Sequence, residues 1–446
     1  MKKATIIILI VICISHHAAS QTPLSLPAVD AQTYAYWQQE DWKSLITLGN
    51  KALQGGMDFY YLRVRMGIAH FERKNYHLAI HHLNKAYLLN PHDDYLNATL
   101  YYAYIYAGRT MEASILLSKF TPSLRQKIGK TDRKTVDAIS IFYMRQSIDD
   151  ESVIENFSPD VPSPENGAQV ITRKLDLFNA GIKHAISPKF SLYHAYTHIR
   201  KESFAYSVFD GFENSTQDHE TTLNQYCIIG NTRISKGLNL LAGFHYINIS
   251  YPLEVTDLQN GQQIRNALNR VNYNEYVGYL GLYREMNRFT PGAAVSLAGL
   301  NQATQLQGDL SVIFYPLGNL NLYTSSMASF QREFYQDQSH HDALVLNQLI
   351  GCRITGFLWA EGFFTLGNMK NFVAGNGAIV FNATEAITGR MGGRLIFLPN
   401  QQFNLQITYI MNQLESSFTE EANAGVSLNS TNYKNHSLTG GIVWRF

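Results

Sequence analysis

Chemistry in this chain would have to start from its fifteen histidines, its three cysteines and a scatter of arginines. His81, His82 and His92 fall within one helical-looking stretch. A metal needs ligands that converge, and neighbouring histidines on a helix point to different faces, so these read as a solvated surface. His184, His194, His198 and His245 lie further on, where a serine beside one of them would supply the nucleophile and base of a lipid-acting enzyme. None of the sequence patterns that hold such groups together is present: no G-x-S-x-G, no phosphate-binding loop, no H-E-x-x-H and no paired-cysteine spacing. Cys13 falls in an N-terminal apolar run, and Cys227 and Cys352 are too far apart in sequence to form a dense disulfide framework. The residues therefore imply no catalytic group, no cofactor and no metal.

Arginine is the more suggestive type. Arg390 and Arg394 alternate with Met391, Leu395 and Phe397, Arg353 lies between Cys352 and Ile354, and Arg445 follows Trp444. If the apolar partners face lipid, the four arginines line a lumen, where they favour anionic solutes or polymers. The alternative is that they pair with Glu275, Glu285, Asp309 or Glu361 and brace the interior.

The elements that would position these residues follow from composition and period. The chain has 446 residues, a net charge of +1, 16% charged and 12% aromatic residues, and a mean hydropathy of −0.17. It is too neutral for nucleic acid, and two domains are expected. Residues 1–20 read as an export signal: Lys2 and Lys3, an apolar core from Ala4 to Ile14, and the small residues Ala18, Ala19 and Ser20. Beyond them no apolar run reaches the roughly 18 residues a membrane-crossing helix needs.

From about Ala31 to Phe120 the period is helical and repeats at 34 residues. Leu45, Ala79 and Ala113 fall in register, as do Trp42 with Tyr76 and Ala52 with Ala86, with Gly67, Gly108 and Pro91 at turns and close approaches. This spacing resembles the tetratricopeptide family, and two to three such repeats are expected in a helical domain over 21–130. The resemblance implies a groove for a partner protein. Tyr60, Tyr61, Tyr101 and Tyr102 are the candidates to line it, with inter-helix packing as their alternative role.

After about Thr135 the period becomes two. Phe403, Leu405, Ile407 and Tyr409 share a face opposite Asn404, Gln406 and Thr408, and Leu306, Leu310 and Val312 oppose Gln305, Gln307 and Asp309. Segments of roughly ten to fifteen residues are long enough to cross a bilayer as tilted strands. Short turns alternate with longer polar stretches such as DGFENSTQDHE and EVTDLQNGQQIRNALNR, the asymmetry of an outer-membrane barrel. The segment 368–390 contains Asn376-Gly377 between apolar runs and reads as an outer hairpin. Leu438, Gly440, Ile442, Trp444 and Phe446 form an alternating last strand. Trp444 and Phe446 resemble the terminal signal by which bacterial barrels are recognised by their assembly machinery. If Phe446 lies at the periplasmic side, strand parity demands an upward strand before residue 172, and 134–148 fits it. That makes about 14 strands over 131–446.

The expected fold is a short α-helical tetratricopeptide solenoid followed by a transmembrane antiparallel β-barrel. In architecture it resembles the YaiO-type outer-membrane proteins and, more remotely, the exporters of cellulose and poly-N-acetylglucosamine. The resemblance implies a Gram-negative outer membrane with the helices in the periplasm, and as partners membrane lipid, lipopolysaccharide and the assembly machinery. The leading functional expectation is a non-enzymatic scaffold that holds a periplasmic protein. A pore for anionic solute or polysaccharide is the alternative, and a lipid-acting barrel enzyme is third.

Overall fold

Ser25, Asp41 and Asn75 set where the first helices begin. Each side chain accepts a hydrogen bond from the backbone N–H three residues on, at 3.4, 3.1 and 3.3 Å, which occupies a donor that the helix cannot satisfy itself. The computed structural model describes residues 24–129, 135–158, 166–209, 212–259, 262–336, 338–400, 402–420 and 427–446. The export signal at 1–20 lies outside the described residues. Five helices follow the first cap: α1 (Leu26–Gln38), α2 (Trp42–Gln54), α3 (Tyr60–Glu72), α4 (Tyr76–Leu89) and α5 (Asp94–Tyr106). Val29, Leu45, Ala52, Leu62, Met66 and Ala69 form a core shared by α1, α2 and α3.

The chain divides into two compact units between Ala103 and Tyr104. The short helices α6 (Thr110–Leu117) and α7 (Pro122–Lys127) belong to the second unit. This corrects the expected tetratricopeptide solenoid: the structure holds a short helical region and shows no such solenoid. A solenoid needs about three stacked repeats to share a core. Here only the middle copy, α3 with α4, forms the tight pair, and the third copy is drawn off. Its Arg109 and Glu112 pair with each other, Glu112 pairs with Arg233, and Arg109 lies 3.7 Å from Glu285. Arg233 and Glu285, 2.8 Å apart, belong to the strand unit.

The α3–α4 pair owes its closeness to Gly67. A Cβ there would stand 2.5 Å from Leu83, which is fully buried. We expect Gly67→Ala to destabilise the helical unit by about 1–3 kcal/mol through overpacking. Thermal melting of the full chain at 222 nm should show an early helical transition in the variant.

Among the described residues fourteen strands close a barrel. They are β1 (Val136–Ile148), β2 (Gly167–Ser187), β3 (Phe190–Phe209), β4 (Phe212–Ser235), β5 (Leu238–Gln259), β6 (Gln262–Arg284), β7 (Phe289–Leu300), β8 (Ala303–Phe314), β9 (Leu322–Phe334), β10 (His340–Arg353), β11 (Leu358–Leu366), β14 (Ala386–Phe397), β15 (Phe403–Glu420) and β16 (Ser427–Arg445). Two further strands, β12 (Phe372–Ala374) and β13 (Ile379–Phe381), pair only with each other. Closure is made by β1 against β16, from Ala138 opposite Arg445 to Ile148 opposite Asn435. The strand required by parity is therefore present and closes the ring.

Alternation sorts the two faces. Leu310 is 69% exposed and Leu438 58%, whereas Gln305 and Gln307 are fully buried. An apolar exterior around a polar interior is the reverse of a soluble barrel and suits a lipid surround. The end bearing Phe446 is called proximal and the other distal. The polar stretches expected as long distal loops are largely strand: the β5–β6 ladder runs on to Gln259 opposite Gln262. Beyond the apolar belt a strand needs no apolar face, and the ladder alone satisfies its backbone.

Candidate functional site in the barrel lumen

Residues 367–385 connect β11 to β14 at the distal end, and instead of projecting as an outer hairpin they fold into the barrel. Gly367 makes the turn inward at φ +118°, where a Cβ would stand 2.1 Å from the Leu344 carbonyl oxygen, so only glycine fits. β12 and β13 then form a hairpin whose tip is Gly375, Asn376 and Gly377, all at positive φ. The Asn-Gly turn is thus real, but its position is lumenal.

Apolar burial drives the inward fold. Met369 and Phe372 pack on Val345, and Val373 joins a core with Leu223, Ile247, Val277, Tyr279 and Leu300. Phe372 and Val373 are each 1% exposed. At roughly 25 cal/mol per Å², burying these side chains contributes several kcal/mol toward seating.

Polar wall residues complete the seat. Gln307 donates to the Val373 carbonyl at 2.7 Å and accepts from the Val373 N–H at 3.0 Å. Gln331 donates to the Lys370 carbonyl at 2.8 Å, and Asn301 donates to the Asn382 and Ala383 carbonyls at 2.9 and 3.3 Å. His245 Nε2 donates to the Gly377 carbonyl, while Gln225 donates to its Nδ1 at 2.6 Å; the two contacts together fix the tautomer. Side-chain contacts hold the ends: Asn371 donates to Glu333 at 2.6 Å and Asn382 to Glu275 at 3.1 Å.

The last anchor is Glu385, 2% exposed. Its carboxylate accepts from the Thr172 N–H at 2.8 Å, the Thr172 hydroxyl and the Tyr433 hydroxyl at 3.0 Å. Lys201 faces it at 3.5 Å. A buried charge pair of this kind is costly to break from one side. Beside the hairpin a cavity of about 30 Å³ remains, lined in part by Tyr279, Tyr283, Asp309, Ser311, Met327 and Asn376, with room for about one water.

The residues singled out from sequence are dispersed. Arg394 pairs with Glu361 at 3.1 Å, while Arg390 lies over the rings of Phe363 and Phe381, 5.6 and 5.4 Å from their centres. Arg353 curls onto the carbonyls of Thr355 and Gly356 at the proximal turn. Arg445 closes the ladder at the same end, exposed, and Trp444 stacks on Phe403 and Phe446 on the exterior. In the helical unit Tyr101 is 5% exposed and Tyr61 60%. Tyr60 donates to Asp93 at 2.7 Å and packs edge-on against Tyr61, as Tyr101 does against Tyr102.

Of the four barrel histidines only His184 and His194 come together. His184 and His194 contact each other at 3.1 Å, His198 contacts Asn224 at 3.0 Å, and His245 holds the hairpin. Sequence places Gln307 only on a polar strand face and does not distinguish Gln331, Asn301, Glu385 or Lys201. Their one available signal was the apolar Phe372-Val373 pair inside a connection that an outer loop would leave in water.

Among the described residues no metal-binding cluster is found. The buried His82 of the helical unit accepts from Arg63 at 3.0 Å, stacks on His70, and is pushed down by burial to about 3, with the charges of His70, His81, Arg63 and Lys85 acting in the same direction. A histidine held neutral below its unfolded value of 6.5 binds fewer protons folded than unfolded. Its contribution is therefore whole above about pH 6.5 and is lost as pH falls toward 3. We expect acid to melt the helical unit before the barrel, by a few kcal/mol between pH 7 and 4, and His82→Gln to flatten that dependence. Circular dichroism at 222 nm across this range checks it.

No known protein family matches the sequence, and no curated protein does. Among solved structures the chain is similar to the toluene transporter TodX of Pseudomonas putida, at 8% identity and TM-score 0.43 over 73% of this chain and 92% of that one. It is similar to the toluene transporter TbuX of Ralstonia pickettii at 10% identity and TM-score 0.43, over 70% and 90% of the two chains. A FadL homologue of Pseudomonas aeruginosa matches at 8% identity and TM-score 0.39, over 70% and 90%. These identities and scores assign neither family nor cargo.

Proposed function

We propose that this chain is a channel of a Gram-negative outer membrane, closed by residues 367–385 and opened when that segment leaves its seat. One observation carries the reading: a separate segment folds into the lumen and is seated on the inner wall by apolar and polar contacts. Fourteen strands about 4.8 Å apart and tilted by roughly 40° enclose a ring about 28 Å across between backbones. Wall side chains alone leave roughly 15 Å of that open. The hairpin enters this space, and at the distal end the β1–β2 connection packs Val153, Ile154 and Phe157 on Ile171, Phe204 and Leu414.

The exterior belt fits membrane lipid, with the proximal end toward the periplasm, and Trp444 and Phe446 fit recognition by the assembly machinery. The half-buried Arg390, set over two rings, would give the open lumen a preference for anions. Transport accounts for the inward segment better than the scaffold reading, which leaves it without a task. The test is planar-bilayer recording of the refolded protein with and without the hairpin: a large current only in its absence supports the channel, and equal currents oppose it.

A further inference from the structure

The hairpin is held through its side chains and through its main chain. Three of its side chains meet the wall: Asn371, Asn382 and Glu385 engage Glu333, Glu275 and the Lys201 group. From Lys370 to Ala383 the wall also contacts main chain, with Asn301 donating to the Asn382 and Ala383 carbonyls. Gln331, Gln307 and His245 donate to the carbonyls of Lys370, Val373 and Gly377, and Gln307 also accepts from the Val373 N–H. The two bonds of Gln307 copy what a neighbouring strand would give. Gln331, Gln307 and His245 are buried at 1% exposure or less. Beside them are apolar pockets at Val345 and at Val277 and Leu300, which take Phe372 and Val373.

Buried amides aimed at backbone groups do not depend on the identity of the side chain between them. Apolar pockets beside them require only an apolar residue of suitable size. We propose that the vacated seat is a binding site for an extended, apolar peptide, and that the hairpin is its resident occupant. This rests on the hairpin being displaceable, as in the channel reading. A saturated chain offers nothing to the inward donors of Gln307, Gln331 and His245. Gln307 keeps Gln305 and Asp309 and His245 keeps Gln225, but each lost bond in a dry seat costs about 1 kcal/mol or more, which disfavours a plain hydrocarbon ligand.

The test uses the full chain lacking residues 369–384 and three probes: a peptide of the sequence 368–381, an unrelated acetylated Leu-Phe-Val-Ala amide, and a neutral oligomer of N-acetylglucosamine. Binding of the labelled probes in detergent is measured by fluorescence anisotropy, alongside block of single-channel current. Both peptides should bind, N-methylation of the central amide should weaken binding about tenfold, and so should Gln307→Leu, as loss of about 1.4 kcal/mol of hydrogen bonding implies. Binding of the resident sequence alone would overturn the proposal, since the seat would then read side chains. So would equal binding of the sugar oligomer, or no binding of either peptide. A barrel that binds both peptides but passes no current would sink the channel reading and leave this one standing.

Discussion

Glu385→Leu is expected to unseat the hairpin in a fully folded barrel. The substitution strips the acceptor from the Thr172 N–H, the Thr172 and Tyr433 hydroxyls and the Lys201 ammonium, all in a site where Glu385 itself is 2% exposed. Leaving one member of a buried pair charged and alone costs about 3–5 kcal/mol. Part of that cost is recovered if the hairpin swings out and lets water reach Lys201, so the substitution acts on the closed state more than on the open one. A bias of that size raises the open-to-closed ratio by roughly two to three powers of ten. Frequent channel openings and rapid protease cutting within 367–385 are the expected readouts. Lys201→Met combined with Glu385→Leu should return most of the closure, because an apolar pair of similar volume needs no partner. Equal leakiness of single and double variants would mean that the pair has no part in closure.

The larger effect should come from removing residues 369–384. Val373, Phe372 and Met369 leave with the segment, and the wall residues Gln307, Gln331, Asn301 and His245 become water-facing. These are polar groups that water satisfies, so the barrel keeps its fold. Its wall is held by ladders such as β10–β11 from Leu346 opposite Leu366 to Arg353 opposite Trp359, which the deletion does not touch. What changes is the bore: the space that the hairpin takes up opens into a lumen roughly 15 Å wide between wall side chains. Arg390 loses Phe381 and gains water, so the current should prefer anions, and Arg390→Gln in the deleted background should lower that preference.

The barrel could be read from the sequence because a membrane wall has a simple rule. Leu306, Leu310 and Val312 must meet lipid while Gln305, Gln307 and Asp309 must not, and this period of two survives in the chain without any knowledge of partners. Parity then placed β1. The hairpin was harder. Asn376-Gly377 marked the turn, but whether a turn points into water or into a lumen depends on side chains more than sixty residues away, such as Gln307 for Val373.

The helical third misled for a related reason. The small residues in 34-residue register include Ala113, yet α6, which carries it, is tied to the strand unit through Arg109 and Glu112. Spacing reports which faces are small and leaves open what packs against them. Among the arginines, alternation put Arg390 and Arg394 on the inner face of β14. It gave no means of separating Arg394, which has Glu361, from Arg390, which lies over two rings.

The most direct measurement is single-channel conductance of the refolded protein, intact and lacking residues 369–384, in the same bilayer and salt. The account predicts long closed periods for the intact chain and a steady, anion-preferring current at least about tenfold larger for the shortened one, as the change in bore requires. Indistinguishable currents, or silence from a shortened barrel whose β-sheet spectrum is intact, would contradict it.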